Sequence, residues 1–472
     1  MTPSTTKRYL PWIVAIALFM EQLDSTIVNT SIPAMAASLG ATPLSLKAVA
    51  TSYILALAVS IPVSGWLAER FGSRRVFLSA VALFTLSSVL CGLATSAHWL
   101  VAARVPQGIA AAMMMPVGRM AVVRTFPKGE LLQAMNFVII PALLGPLLGP
   151  TVGGLIVHWL SWRDIFFVNV PVGLVALWFG WRHMPDYRSE VVRPLDWRGF
   201  LLFGSGTALL SWLLEVFGEH GLSAAQALLP LAVSLLLLGA YGWHALRTPH
   251  PLLSLALFRV RTFRVSVLGG FVTRLGVGGM PFLLPLLYQL GLGLPAWQSG
   301  LLMMPAAFAA MGMKLISSAM LRRFGYRRVL LANTVLVALT ISLYAQVGPT
   351  TPLAAIVGLG LAMGLFNSLQ FSSMNSMAYA DVGEQDAAMA ATLASTLQQM
   401  SMSFGLACGS LVAALYLDRL PQTSAVAVSG ALHHAFLTLA VLTLVSALSF
   451  RALRANDGES VSKGQAADRV PA

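Results

Sequence analysis

Glu21 and Asp24 stand three residues apart in MEQLDSTIVNTSIP (residues 20–33), inside an otherwise apolar stretch that begins near Tyr9. A charge in the middle of a membrane span costs a few kcal/mol or more, so two carboxylates there need a chemical reason. At 100° per residue Glu21, Asp24 and Ser25 share one helix face. Four cations also fall within apolar stretches: Arg104, Arg119, Arg274 and Lys314. Asp24 lies about ten residues before the end of its stretch and Arg104 about seven after the start of its own, which puts the two at similar depth if the stretches cross a bilayer. A buried carboxylate left alone keeps its proton; beside an arginine it ionises, and is poised to exchange a proton when water or a ligand disturbs the pair. Asp24 is the expected proton carrier and Arg104 its partner. Glu21, one turn deeper, is a second carrier or a recognition group. The competing reading is a static ion pair, but buried pairs are poor stabilisers compared with apolar packing.

The elements that must position these groups are membrane helices. Of 472 residues 57% are hydrophobic and 10% charged, against about 25% charged in soluble domains, and the mean hydropathy is +0.77. Fourteen stretches are long and apolar enough to span, approximately 9–33, 48–69, 74–96, 98–124, 131–157, 163–184, 199–217, 222–246, 264–290, 297–321, 327–347, 352–378, 386–416 and 431–453. The first, with Lys7 and Arg8 before it and AMA at 34–36 after, imitates a secretory signal but is too long for one and carries Glu21 and Asp24. It is expected to be retained. Cys91 and Cys408 both sit in apolar stretches, as packing residues. The eight histidines show no metal-ligand spacing and no phosphate-cradling GxxxxGK[ST] is present, so neither metal, cofactor nor direct ATP drive is expected.

Alternating the spans assigns 23 of the 30 Lys and Arg to the side that holds both termini, three (Lys47, Arg163, Arg419) to the other side, and four to the spans themselves. The bias predicts cytoplasmic termini in a cell (inner) membrane. It also explains the net charge of +13 without invoking nucleic acid, since no soluble module gathers the basic residues. ERFGSRRV at 69–76 recurs as RRFGYRRV at 322–329, an offset of 253 residues, each time between the second and third spans of a run of six. Such parallel repeats build transporters with a substrate site between the halves. The expected organisation is a six-helix half at 1–190, two inserted helices at 191–250, a second six-helix half at 251–455 and a disordered cytoplasmic tail at 456–472.

Several motifs carry a resemblance. GWLAERFGSRRV (65–76), RVPQGIAAA (104–112), GPLLGPTVGG (145–154) and LDSTIVNTSIP (23–33) resemble those of the major facilitator superfamily, and within it the fourteen-span drug–proton antiporter branch of multidrug efflux type, with Glu69 where Asp is more usual. The resemblance implies an all-α membrane protein, with alternating access of two halves and antiport rather than catalysis. Gly65 is expected to let two helices approach and Gly72 to support a tight turn. Glu69 with Arg70, Arg74 and Arg75, echoed by Arg322, Arg323, Gly325, Arg327 and Arg328, reads as a charge latch that closes in one conformation; simple positive-inside bias is the alternative. Gly145, Gly149, Gly153 and Gly154, with Pro146 and Pro150, form a flat, bent stripe, read as a dry contact with the other half that limits ion leak, or as ordinary helix packing.

The neutral polar residues Asn29, Asn136, Gln289, Gln370, Asn375 and Gln398, with the cations Arg119, Arg274 and Lys314, are candidates for lining a substrate cavity, or for interhelical bonding. Four intramembrane cations against two acids are unusual for a cavity dedicated to organic cations. The leading expectation is a monomeric, proton-coupled exporter of small amphiphilic or drug-like molecules. An exporter of organic anions or metabolites on the same fold is the alternative. A membrane enzyme or receptor is disfavoured by the lack of a catalytic cluster or soluble domain.

Overall fold

The computed structural model describes residues 3–189, 192, 194–218, 224–417, 425–454 and 456–458. Among them every long element is helical: α1 Pro3–Ile27, α2 Ile32–Leu39, α3 Lys47–Phe71, α4 Ser73–Gly92, α5 Ala97–Thr125, α6 Lys128–Trp159, α7 Asp164–Phe167, α8 Asn169–His183, α9 Trp197–Gly218, α10 Ala224–Arg247, α11 Arg261–Val277, α12 Met280–Leu286, α13 Ala296–Phe324, α14 Tyr326–Tyr344, α15 Leu353–Ala378, α16 Ala387–Leu417 and α17 Ala425–Phe450. A chain this apolar has no water to satisfy its backbone within a bilayer, and helices satisfy it internally. Twelve units among the described residues are long and apolar enough to cross; α6 and α9, of 32 and 22 residues, complete fourteen. The first span runs further than expected, to Leu39, because a 3₁₀ turn at Asn29–Ser31 joins α1 to α2. The ninth is likewise composite, α11 and α12 continuing into a π turn at Leu287–Gly291.

The repeat is structural. Gly72 and Gly325 both take positive φ, 95° and 76°, in the tight turns that join α3 to α4 and α13 to α14. A side chain is strained at such a backbone angle. At Gly72 the space is also filled, since a β-carbon there would lie 2.2 Å from Asp186 Oδ1. The inserted pair α9 and α10 packs together, with α9 also resting on α3 and α16. Asp196 pins this pair: its carboxylate accepts from Gly199 N at the start of α9, from His244 Nε2 on α10 and from Leu252 N beyond it. Burial pushes this exposed-end carboxyl upward, but those three hydrogen bonds prevail and hold it below the usual range.

Two expectations about the latch change. Gly65 has nothing within 4 Å of a β-carbon built on it, so it mediates no close helix approach. The acid at the centre of the first loop is Asp186, from the segment after α8, and Glu69 forms no ion pair among the described residues. Asp186 accepts from Arg74 N and pairs with Arg188 at 3.0 Å, Arg74 donates to the Trp181 carbonyl, and Ser73 bonds Pro185 O and Tyr187 N. Glu69 contributes its backbone carbonyl, to Ser189 N. Arg70 and Arg75 are exposed, as are Arg322, Arg323, Arg327 and Arg328 around Gly325. The first residues of the expected tail are ordered against the second half. Arg261 at the start of α11 pairs with Asp457, whose other oxygen accepts from Arg454 N, and Gly458 rests on the Tyr326 ring. Residues 455 and 459–472 of that tail lie outside the described residues, as do Arg193 and Arg419.

Glycine sets the tightest approach in the second half, where a β-carbon on Gly364 would lie 1.9 Å from the Ala306 carbonyl oxygen on α13. Gly364→Ala must separate α13 from α15 and should cost about 1–3 kcal/mol. Thermal unfolding in detergent is expected to fall by several degrees, whereas Gly239→Ala, with open space around it, should leave it unchanged.

Candidate functional site

Asp24 is fully buried, at 0% exposure, and its carboxylate accepts three hydrogen bonds. Arg104 Nη1 donates to Oδ2 at 2.5 Å; Gln107 Nε2 and Asn169 Nδ2 donate to Oδ1 at 3.0 and 2.7 Å. A second layer fixes these donors. Ser88 Oγ accepts from both amides, Cys91 Sγ donates to Gln107 Oε1, and Arg104 Nη1 also reaches that oxygen at 2.7 Å. Arg104 Nε donates to the Val49 carbonyl, and its guanidinium lies 4.1 Å from the Tyr53 ring centre. Five helices of the first half therefore meet at one carboxylate: α1, α3, α4, α5 and α8. Gly108 makes the meeting possible, because a β-carbon there would lie 2.3 Å from Tyr53 O; without one, α5 sits close enough to α3 for Arg104 to reach Val49.

The sequence reading placed Asp24 beside Arg104, and they are paired. It missed Ser88 and Asn169, and treated Cys91 as plain packing. The available signal was an asparagine in the apolar run FFVNVPVG (166–173), neutral and so easily passed over. Glu21 is 7% exposed and its Oε2 has no hydrogen-bond partner among the described residues; the charges that act on it are those of Arg119 and Asp24.

The glycine stripe contacts a different helix from the one expected. Gly145, Gly149 and Gly153 face α1 of their own half, where β-carbons would strike Gln22, Thr26 and Ile27. Pro146 lies between these glycines on the same helix. The neighbouring face of α6 meets the other half: a β-carbon on Gly154 would lie 2.3 Å from Ala296 O, one on Gly300 2.3 Å from Pro150 O, and Thr151 Oγ1 donates to Gly300 O. Gln289 Nε2 donates to Thr30 O at 2.8 Å, also between halves. These contacts close the cleft at the end opposite the arginine-rich loops. At the basic end Arg119 on α5, Asn375 on α15 and Tyr379 are exposed, and Tyr379 feels the charge of Arg119 across the cleft.

The cavity candidates separate accordingly. Gln289 belongs to the closed end. Gln370 is buried against α14, bonded to Asn333 and Thr334, and acts as interhelical glue. Asn29 is buried in the 3₁₀ turn. The side chain of Asn136 lies outside the described residues. Arg274, Asn375 and Gln398 come together, with Arg274 Nη2 3.3 Å from each amide oxygen. Lys314 is exposed. It lies fourteen residues beyond Gly300 on α13, within about 40° of the same face, and about 100° from the outward-facing Leu315, so it looks toward the first half. Among the described residues no acid pairs with it, and no cluster could hold a metal.

A profile of the Major Facilitator Superfamily matches residues 14–406, and the chain belongs to that family. The chain is 41% identical over 453 residues to a protein of Cronobacter sakazakii named multidrug resistance protein MdtD, covering 94% of each, and 40% identical over 452 residues to its namesake in Citrobacter koseri, covering 95% of each. Its fold is similar to those of a POT family transporter in complex with 5-aminolevulinic acid (TM-score 0.68, 15% identity, 94% of this chain and 96% of that one) and of a D-xylose–proton symporter (0.67, 14%, 95% and 98%). The protein is thus a multi-pass membrane transporter, and its described residues form fourteen spans, two six-helix halves with two helices inserted.

Arg104→Met leaves Asp24 without its cation and should destabilise by about 3–5 kcal/mol. Adding Asp24→Asn removes the orphaned charge and should restore most of that loss. Thermal unfolding of the two single variants and the double variant measures the coupling; simple additivity would mean the pair does not act as a unit.

Proposed function

We propose that the protein is a proton-coupled exporter of small amphiphilic or drug-like molecules, in which Asp24 exchanges the proton. The observation that carries this reading is the carboxylate of Asp24, wholly buried yet held by one cation and two amides. Buried charge of this kind adds little stability over apolar packing, whereas a carboxylate on α1 whose donors come from α5 and α8 feels each proton as a structural event. The arginine-rich end faces the cytoplasm of an inner-membrane protein on this reading, and both termini with it. The described conformation is then open inward.

Coupling runs along the first span. Asp24 and Thr30 are six residues apart, about 9 Å along a helix, and Thr30 O holds Gln289 of the other half. The same helix seats the glycines of α6, whose next face forms the Thr151–Gly300 contact. Protonation of Asp24 removes the charge that Arg104, Gln107 and Asn169 ligate, and α1 is then free to shift against α6. In antiport that proton arrives from outside, so this step belongs to the outward-open state and returns the halves at 1–190 and 251–455 to the described one; with substrate bound and Asp24 ionised again, the outer contacts open and the halves rock back about the site between them. Substrate leaves outward as a proton enters. Glu21, with an unpartnered oxygen one turn nearer the open end, is the next stop for that proton. Homologues named as multidrug resistance proteins support the substrate class. The basic loops around Gly72 and Gly325, the first tied by Asp186, are the parts that rearrange as the inner end closes.

Asp24→Asn keeps volume and hydrogen bonding but cannot cycle a proton. In inverted vesicles at matched expression, efflux driven by a pH gradient should be abolished, while substrate exchange without a gradient persists. Wild-type coupling in this variant would refute the assignment.

A further inference from the structure

Arg274 is buried, 5% exposed, and it lacks what Arg104 has. No carboxylate among the described residues pairs with it. Its hydrogen bonds converge on one terminal nitrogen, from Asn375 Oδ1 on α15 and Gln398 Oε1 on α16, both at the long limit of 3.3 Å. The guanidinium carbon lies 5.1 Å from the Phe371 ring centre. Room for it is built in: a β-carbon on Gly270, one turn earlier, would lie 2.8 Å from Nη1. Three helices of the second half are thus arranged around a charge that no acid among the described residues neutralises. A charged side chain at such depth faces the bundle interior or a wet cavity, and this one does. Asn375 is exposed, and it shares a helix face with Tyr379, four residues on, which feels Arg119 of the opposite half. Lys314 lies on α13 facing the same cleft. Glu21, the nearest acid named in the first half, lies on the opposite wall, within the field of Arg119.

We propose that Arg274, Asn375 and Gln398 form the subsite for a negatively charged group of the transported molecule, making the preferred substrate an amphiphile that carries a carboxylate. A guanidinium presents paired N–H donors that match a carboxylate edge. Asn375 and Gln398 each hold an amide N–H₂ as well as the oxygen now turned toward Arg274, so rotation of either amide adds donors to an arriving anion. Phe371 offers an apolar surface beside the charge for the rest of the molecule. The subsite lies in the half that does not carry Asp24, so substrate charge and proton are recognised on opposite walls of the cleft. This inference rests on the export reading for its route, but not for its binding chemistry.

The test is equilibrium binding by the purified full-length protein in detergent, followed by fluorescence. The probes are dansylglycine and its methyl ester, which differ in the charge of one group. The unaltered protein is expected to bind the acid at least about tenfold more tightly than the ester. Arg274→Gln should abolish that preference by weakening acid binding alone, and Arg274→Lys should keep part of it. Asn375→Asp supplies the missing counter-charge inside the fold; it should lose acid binding and keep the ester, which covers the case in which Arg274→Gln fails to fold. Gly239→Ala, on the inserted pair with open space around it, should retain the full preference. Equal affinity for acid and ester, no saturable acid binding, or an unchanged preference in both Arg274→Gln and Asn375→Asp overturns the proposal. No proton gradient enters the assay, so a protein that prefers the acid but fails to couple in vesicles refutes the export reading and leaves this one standing.

Discussion

Seating one carboxylate beside an arginine, away from all solvent, is the constraint around which the first half is organised. Asp24 accepts three hydrogen bonds, and its own helix supplies none of them. The cation comes from α5, the amides from α5 and α8, and the group that orients both amides, Ser88, from α4. Each donor must arrive within about 3 Å, which in turn dictates how closely the helices pack. Gly108 is one consequence, since any larger residue would hold α5 away from α3. The lower dielectric inside the bundle strengthens these bonds when they are complete and makes any gap costly. A change of charge at Asp24 is consequently felt by every helix around it.

The second half shares the helix plan but not this centre. Its equivalent of α1 is α11, which breaks at Gly278 and Gly279, where they pack against Gly405 and Gly409 of α16. Close glycine contacts there replace the charge cluster as the means of bringing helices together. The first half gathers its helices at an ion pair with its amides as well as at glycines; at the corresponding place the second half relies on close glycine contacts.

The spans, the repeat and the Asp24–Arg104 pair were legible because each has a strong one-dimensional signature: hydropathy over some twenty residues, a repeated loop, and charges where none are tolerated. Ser88 and Asn169 were not, because a neutral polar residue in a membrane helix has the same appearance whether it serves a carboxylate or a neighbouring backbone. The facing of the Gly145–Gly149–Gly153 stripe was equally hidden. Spacing shows that a flat face exists, but the partner depends on helix rotation, and the stripe meets α1 whereas the next residue, Gly154, meets the other half. Gln370 and Gln398 look alike in sequence; one is spent on Asn333 and Thr334, the other lies against Arg274. Glu69 was the natural centre for the loop cluster because it is adjacent, whereas Asp186, distant in sequence, occupies that place.

That last feature has a counterpart at the other end of the chain. Each half finishes its sixth helix and then turns back on its own basic end: Asp186 and Arg188 cover Gly72, and Asp457 and Gly458 settle on Arg261 and Tyr326, the residue after Gly325. The repeated unit is therefore longer than six helices and includes its trailing segment. In the first copy that segment leads on to the inserted pair; in the second it looks like the start of a dispensable tail. A truncation or fusion joint placed directly after Arg454 would cut through a folded part of the second copy, and the earliest safe boundary lies beyond Gly458.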